Sequence, residues 1–400
     1  MAAPLSLEDT HTMTLPYYLE PRHNLNEQRG LRTSPVIQTR MFLANEEICV
    51  IIKRSQPDLT KVHIICDTEF LTADEKANRV YWSATTDKSS NEWILESEGS
   101  YTFFRLAKER YNMTQYLGAP NKFKRVFLYT QKNRYTRWLI EPTDFKDTFK
   151  LKYAGETFNI DELTVVVARY EEDVQWTEAY SDICTLYNKG ASKVEGLPFV
   201  IRLPNMGREG HTYLYHILSN YNSLSQNVVF TQADPFPHNP TILCAIDAVE
   251  KTRSIQPLGY IYSDTIPSKE LVKVAAKTAD YGLKYLVSKI NRNLQIVGPV
   301  PFNDDGINEF IEDHTDIYPR QAHMSLVDAF LERCCVTLPG SDTIPFSFAG
   351  LFKVNREVIR VHSKEIYNNM LNELTLIHPQ GGLNGYILER VWLHFFGYIA

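Results

Sequence analysis

From residue 36 to about 149, short runs of β-branched and aromatic residues alternate with turn signals. The runs at 47–52 (EICVII) and 61–66 (KVHIIC) are separated by Ser55-Gln56-Pro57-Asp58, a sequence that breaks a strand and starts a turn. Similar runs follow at 80–84, 93–95, 101–104, 125–129 and 135–140. Strands at such short spacing, with no long 3.6-residue periodicity between them, predict an all-β sandwich or barrel. After Asp161 the pattern changes. LTVVVA (163–168) is a continuous apolar run of the kind a buried parallel strand shows, and 183–187 and 227–231 repeat it. Between them, Leu214, Ile217, Leu218 and Tyr221 define one face of a helix over about 207–221. Ser268 caps a second amphipathic stripe, Leu271, Ala275, Ala279, Gly282, Leu286 and Ile290, and further helices are predicted at about 323–334, 363–376 and 384–396.

This alternation predicts an α/β domain over 155–400 with a mostly parallel sheet and flanking helices, preceded by the β-rich domain at 36–150. Residues 1–35, rich in Pro, Thr, His and Asn and without periodicity, read as an extended arm. A chain of 400 residues is long enough for two or three cores.

Composition narrows the function classes. A net charge of −6 argues against a protein that coats nucleic acid. Residues 101–152 nevertheless hold 12 Lys or Arg against 4 acids, interleaved with aromatic residues. That stretch reads either as a polyanion-binding face or, by about two to one, as an ordinary solvated sheet face. No apolar run reaches the roughly 18–20 residues of a membrane helix, and MAAPLSLEDTHTM has neither the basic nor the apolar part of a secretory signal. A cytoplasmic location follows as the expectation, with incorporation into a virion or other large assembly as its variant. Six scattered cysteines form no C-x-x-C pair, so no zinc ribbon or redox motif is signalled.

Open α/β sheets bind ligands where strands end and loops lead into helices. Four polar clusters occupy such places. Arg169, Tyr170, Glu171, Glu172 and Asp173 follow the first parallel strand, an unusual set for a plain turn, although a solvated helix start would also account for Glu171 and Glu172. Asn188, Lys189 and Gly190 follow the second, where the lysine either meets a phosphate or is a plain turn residue. Asn205, Gly207, Arg208, Glu209 and Gly210 precede the first helix, whose amides with Arg208 could take an anion. Asp234 and His238 follow the third strand and are candidate metal ligands, against an equal case for a Pro-rich turn. Glu389 is an acid on an otherwise apolar helix, either ion-paired or functional. Patterns of serine hydrolases, zinc proteases, P-loop NTPases and dinucleotide-binding dehydrogenases are absent.

The succession VVVARYEEDVQW (165–176), LYNKG (186–190), LPNMGREGHTYLYHILSNY (203–221), VVFTQADPF (228–236), GLFKVNREVIR (350–360) and GYILERVWLHFFG (385–397) resembles an uncharacterised domain family of unknown function over about 161–397. Its opening is in turn similar to the VVIPxYNE strand and loop of GT-A-type glycosyltransferases. The resemblance implies a GT-A-like fold and sugar transfer from a nucleotide-sugar donor to a glycan or protein acceptor. It places Arg169, Tyr170 and Glu172 by the nucleotide, Asp234 near a divalent Mn or Mg ion and the diphosphate, and Glu389 as the base activating the acceptor hydroxyl. The departures are Glu171 where the family carries Asn, and Gln232-Ala233-Asp234 in place of an Asp-x-Asp. The alternative is a catalytically inactive structural or adaptor protein docked into an assembly through residues 1–150.

Overall fold

The computed structural model describes most of residues 40–398. Outside the described residues lie 1–39, 42–47, 56–59, 75–78, 85–90, 109–113, 121–125, 195–199, 248–253, 260–287, 298–324 and 377–381, with a few single positions and pairs. The extended arm expected at 1–35 falls there, as does nearly all of the helix expected from Ser268. The described residues form two compact units, the first ending at Glu156 and the second comprising Thr114, Tyr129, Thr130 and the described residues from Thr157 onward.

The first unit is built from antiparallel strands: β1 (Arg40–Met41), β2 (Ile48–Arg54), β3 (Val62–Cys66), β4 (Glu69–Asp74), β5 (Arg79–Ser83), β6 (Trp93–Glu98), β7 (Tyr101–Leu106), β8 (Tyr116–Gly118), β9 (Phe127–Tyr129), β10 (Trp138–Pro142) and β11 (Thr148–Tyr153). Six of them close on themselves. β2 pairs with β3, β3 with β6, β6 with β7, β7 with β10, β10 with β11, and β11 with β2 again. This ring is a barrel, not a sandwich. Inward positions recur at alternate residues, as in Val62, Ile64 and Cys66 of β3. Two fully buried tryptophans serve the core and the backbone together: Trp93 donates its indole N–H to the Leu71 carbonyl at 2.9 Å, and Trp138 to that of Leu117 at 2.9 Å.

Among the described residues, three of the basic residues of 101–152 are paired with acids within this unit. Arg105 meets Glu96 at 2.6 Å, Lys132 meets Glu98 at 3.1 Å and lies 4.7 Å from the Phe103 ring centre, and Arg134 meets Glu156 at 2.9 Å.

The second unit holds a six-stranded sheet in the order β14–β13–β12–β15–β20–β16, from β12 (Leu163–Arg169), β13 (Cys184–Asn188), β14 (Val200–Arg202), β15 (Asn227–Gln232), β16 (Ile255–Pro257) and β20 (Phe352–Asn355). A second sheet of β17 (Ser288–Asn291), β18 (Ile296–Val297) and β19 (Thr343–Phe346) is antiparallel throughout. Helices α1 (Arg208–Asn220), α2 (Ile242–Asp247), α3 (Leu326–Arg333), α4 (Arg356–Ile359), α5 (Lys364–Leu376) and α6 (Gly382–Phe395) complete it.

The expected fold class is overturned. A mostly parallel GT-A sheet does not form, because among the described residues only β12–β13, β12–β15 and β13–β14 pair in parallel and every other pairing is antiparallel. The closed barrel and the second sheet contribute most of the antiparallel pairings, and within the six-stranded sheet the short return strand Phe352-Lys353-Val354-Asn355 enters antiparallel to β15 with Phe352 opposite Phe230. Ile290, assigned in the sequence to a helical stripe, is instead a fully buried strand residue of β17.

The core that fixes the later site lies between α1, α6 and this sheet. Tyr213, Phe230, Phe352 and Trp392 are all buried, with the Tyr213 and Phe230 ring centres 4.9 Å apart and those of Phe352 and Trp392 5.5 Å apart. Burying such side chains stabilises by roughly 1.5–3 kcal/mol each.

Candidate functional site

The parallel strands β12, β13 and β15 end together at one edge of the sheet, and the turn Phe348–Gly350 that precedes β20 lies at the same edge by register. α1 starts there, packed on α6. The fit is close: a Cβ on Gly210 would stand 3.0 Å from Leu388, and one on Gly385 3.2 Å from Arg208.

Two buried carboxyl groups meet at this point. Glu209, in the first turn of α1, is 7 % exposed, and Glu389, in the middle of α6, is 8 % exposed. Glu389 accepts the Ala349 backbone N–H at 3.1 Å. Glu209 packs on the next residue of the same turn, where a Cβ on Gly350 would lie 3.4 Å from its Cγ. Ala349 and Gly350 are both left-handed, at φ 56° and 60°. Burial first, and then repulsion from Glu389, push the Glu209 carboxyl up to about 7, against the pull of Arg208 and Lys189. Its Oε1 has no hydrogen-bond partner, and neither does the buried Tyr213 hydroxyl one helical turn on.

Cations surround the pair. Arg390 meets Glu389 at 3.6 Å, and Arg208 lies 3.9 Å from Glu209 with its guanidinium carbon 4.3 Å from the Tyr386 ring centre. The Lys189 ammonium donates to the carbonyls of Met206, at 2.7 Å, and Arg208. Burial lowers it to about 8 although Glu209 acts the other way. His211, whose Nδ1 is unpartnered, is held down to about 4 by burial and by Lys189.

The first cluster read from the sequence is spent on holding loops. Arg169, at the end of β12, donates to Asn188 Oδ1, Ser192 Oγ and the Glu172 carbonyl, each at 2.8 Å. Glu172 accepts the backbone N–H groups of Tyr170 and Glu171, and Glu171 accepts that of Ala191 at 2.6 Å. Asn188 is buried in the same network, donating to the Ser192 carbonyl at 2.8 Å. Tyr170 is left standing outward, 52 % exposed. Asn205 is exposed, and Gly207 caps α1 in a left-handed conformation at φ 60°.

Asp234 is exposed in the turn after β15, and His238 stacks on Phe348 with ring centres 6.4 Å apart. Burial lowers the imidazole, while Glu389 and Asp234 act the other way. Among the described residues, no three His, Cys, Asp or Glu side chains are grouped as a metal ion requires. Asp234 and His238 alone do not make such a set.

The structure thus joins Glu209, Arg208 and Lys189 with Glu389. It confirms the contact of Glu389 with Arg390, brings in His211 and Tyr213 from the segment around Arg208, and adds Tyr386 and the Ala349–Gly350 turn, which the sequence reading gave no role. Helical spacing carried a signal: Glu209 and Tyr213 are four apart, and Tyr386, Glu389 and Arg390 fall at three and four, so each set shares a face.

Residues 164–261 match a family described only as a protein of unknown function (DUF3431). No curated protein matches the chain. The matched segment contains Glu209 and Asp234 and excludes Glu389. Among the described residues no helix is long and apolar enough to cross a membrane.

Proposed function

We propose that the second unit is an acid–base enzyme that transfers a glycosyl group to an acceptor hydroxyl, with Glu209 and Glu389 as its working carboxyls. The supporting observation is the pair itself: two buried acids, brought from separate helices to one left-handed turn, with an unpartnered carboxyl oxygen between strand ends. Glu389 takes the proton of the attacking hydroxyl as its oxygen bonds to the anomeric carbon. Glu209, kept protonated to about pH 7, gives a proton to the departing oxygen as its bond to that carbon breaks. Arg208, partly exposed over Tyr386, is placed to meet an anionic leaving group such as the diphosphate of a nucleotide sugar.

The test is turnover of a panel of nucleotide sugars by the full chain, read as release of nucleoside diphosphate. Release by the unaltered chain, lowered about 10²–10⁴-fold in Glu389→Gln, is the expected result. A folded chain that neither turns over nor is stabilised by any donor would overturn it. The second reading, a structural or adaptor protein, has its own observation: Arg169, Glu171, Glu172 and Asn188 are fully accounted for by the loops they hold.

A further inference from the structure

We propose that Lys189 is the positioning residue of this site, a half-buried cation that holds the left-handed start of α1 and thereby aims Glu209 at the Ala349–Gly350 turn. The assignment rests on the reading of Glu209 and Glu389 as the working pair.

The turn that Lys189 holds is not one the chain adopts unaided. Gly207 and Arg208 are consecutive left-handed residues, at φ 60° and 48°. Glycine tolerates that conformation, whereas an arginine is disfavoured in it. Reversing the backbone at these two residues turns the carbonyls of Met206 and Arg208 toward one point, and the Lys189 ammonium occupies it. The turn has no slack on its other side, since a Cβ on Gly207 would come 2.7 Å from the Cβ of His211. Two carbonyl oxygens converging on one point repel each other unless a donor stands between them, and a three-proton ammonium supplies two hydrogen bonds from one atom. Lys189 is in turn fixed by β13, whose preceding residue Asn188 is locked to Arg169, and its own N–H donates to the Arg169 carbonyl at 2.8 Å. A strand end therefore fixes a helix start through one side chain.

Several charged groups surround the two partners. Glu209, His211 and Arg208 on α1 lie nearest Lys189, while Glu209 also meets Glu389 of α6 and the Tyr213 hydroxyl. Lys189 lowers both Glu209 and His211, so its charge favours an ionisable Glu209 and a neutral imidazole. A lysine engaged in this way is not available as the phosphate ligand that its place after a strand suggested.

The experiment is a ¹³C-carboxyl NMR titration of the glutamate-labelled full chain, with the Glu209 signal assigned by its loss in Glu209→Gln. In Lys189→Met, Glu209 should titrate above its position in the unaltered chain, because a nearby cation has been removed and the turn that aims the carboxyl is released. Lys189→Arg, which keeps the charge and the donors, should return it most of the way. A Glu209 midpoint unmoved in a folded Lys189→Met chain would overturn the proposal. Should that variant not fold, hydrogen exchange at the amides of 206–209 in the unaltered chain replaces it. Protection there should fall, after correction for intrinsic base catalysis, as the lysine loses its proton near pH 8. A constant protection factor would be the overturning result. A shifted Glu209 in Lys189→Met together with full turnover in Glu209→Gln would discard the carboxyl pair as the working groups and leave the clamp standing.

Discussion

Arg208 and Tyr386 are stacked: the guanidinium carbon stands 4.3 Å from the ring centre. The contact joins the first turn of α1 to the face of α6 that carries Glu389. Because Arg208 is partly exposed, water screens part of its attraction. A double-mutant cycle of Arg208→Gln and Tyr386→Leu, read by urea unfolding, should give a coupling of about 0.5–1 kcal/mol. A coupling of zero would mean that the stack is a neighbourly contact without energetic consequence.

Gly190→Ala should destabilise the second unit by about 1–3 kcal/mol or more, because the loops after β12 and β13 must move apart to admit a methyl group. The added Cβ would fall 1.6 Å from the Tyr170 carbonyl oxygen, which is backbone and cannot swing aside. Gly340→Ala, where nothing lies within 4 Å, serves as the control and should change the melting temperature little.

Acid should weaken the fold through His216. Burial holds its imidazole down to about 4, with Tyr187 hydrogen-bonded to Nδ1 at 3.0 Å. The unfolded chain therefore binds the proton first. The contribution is fully present above about pH 6.5 and is lost as pH falls toward 4, by up to about 3 kcal/mol. His216→Gln should flatten that limb of a stability-versus-pH curve measured by denaturant titration.

Glu209 acts in the opposite direction. Its folded value, about 7, lies above that of an unfolded glutamate, so the folded chain holds the proton longer. Stability from this group is full below about pH 4.3 and declines as pH rises through 7. Glu209→Gln should lose that decline, and a variant that still weakens equally between pH 5 and 8 would place the titration elsewhere.

The sequence made the helices and the parallel strands legible wherever one period dominated. The stripe from Leu214 to Tyr221 announces α1, and the unbroken LTVVVA run announces β12. It also made Glu389 legible, because an acid among apolar helix residues is conspicuous. Three things were hidden for a physical reason. β20 is four residues long, and its place between β15 and β16 depends on pairing with segments about a hundred residues away. The partner of Glu389 was ambiguous, since Arg390 next to it in sequence offers an ion pair while Glu209 reaches it only through the packing of α1 on α6. Arg169 and Glu172 sit where a ligand loop would be, and only their hydrogen bonds reveal that the loop itself is what they bind.

The insertion of β20 has a consequence for how the molecule is made. Within the described residues β16 is paired with β20 alone, and β20 begins at Phe352, well past the end of the matched segment at residue 261. A ribosome that has just released residue 261 holds a sheet with an unpartnered β15 edge and a β16 with nothing to join. The sheet closes only after nearly a hundred further residues have emerged, and Glu389 comes later still. A fragment ending at residue 261 would leave that edge of β15 without β20, so this sheet is completed only by residues far downstream in the chain.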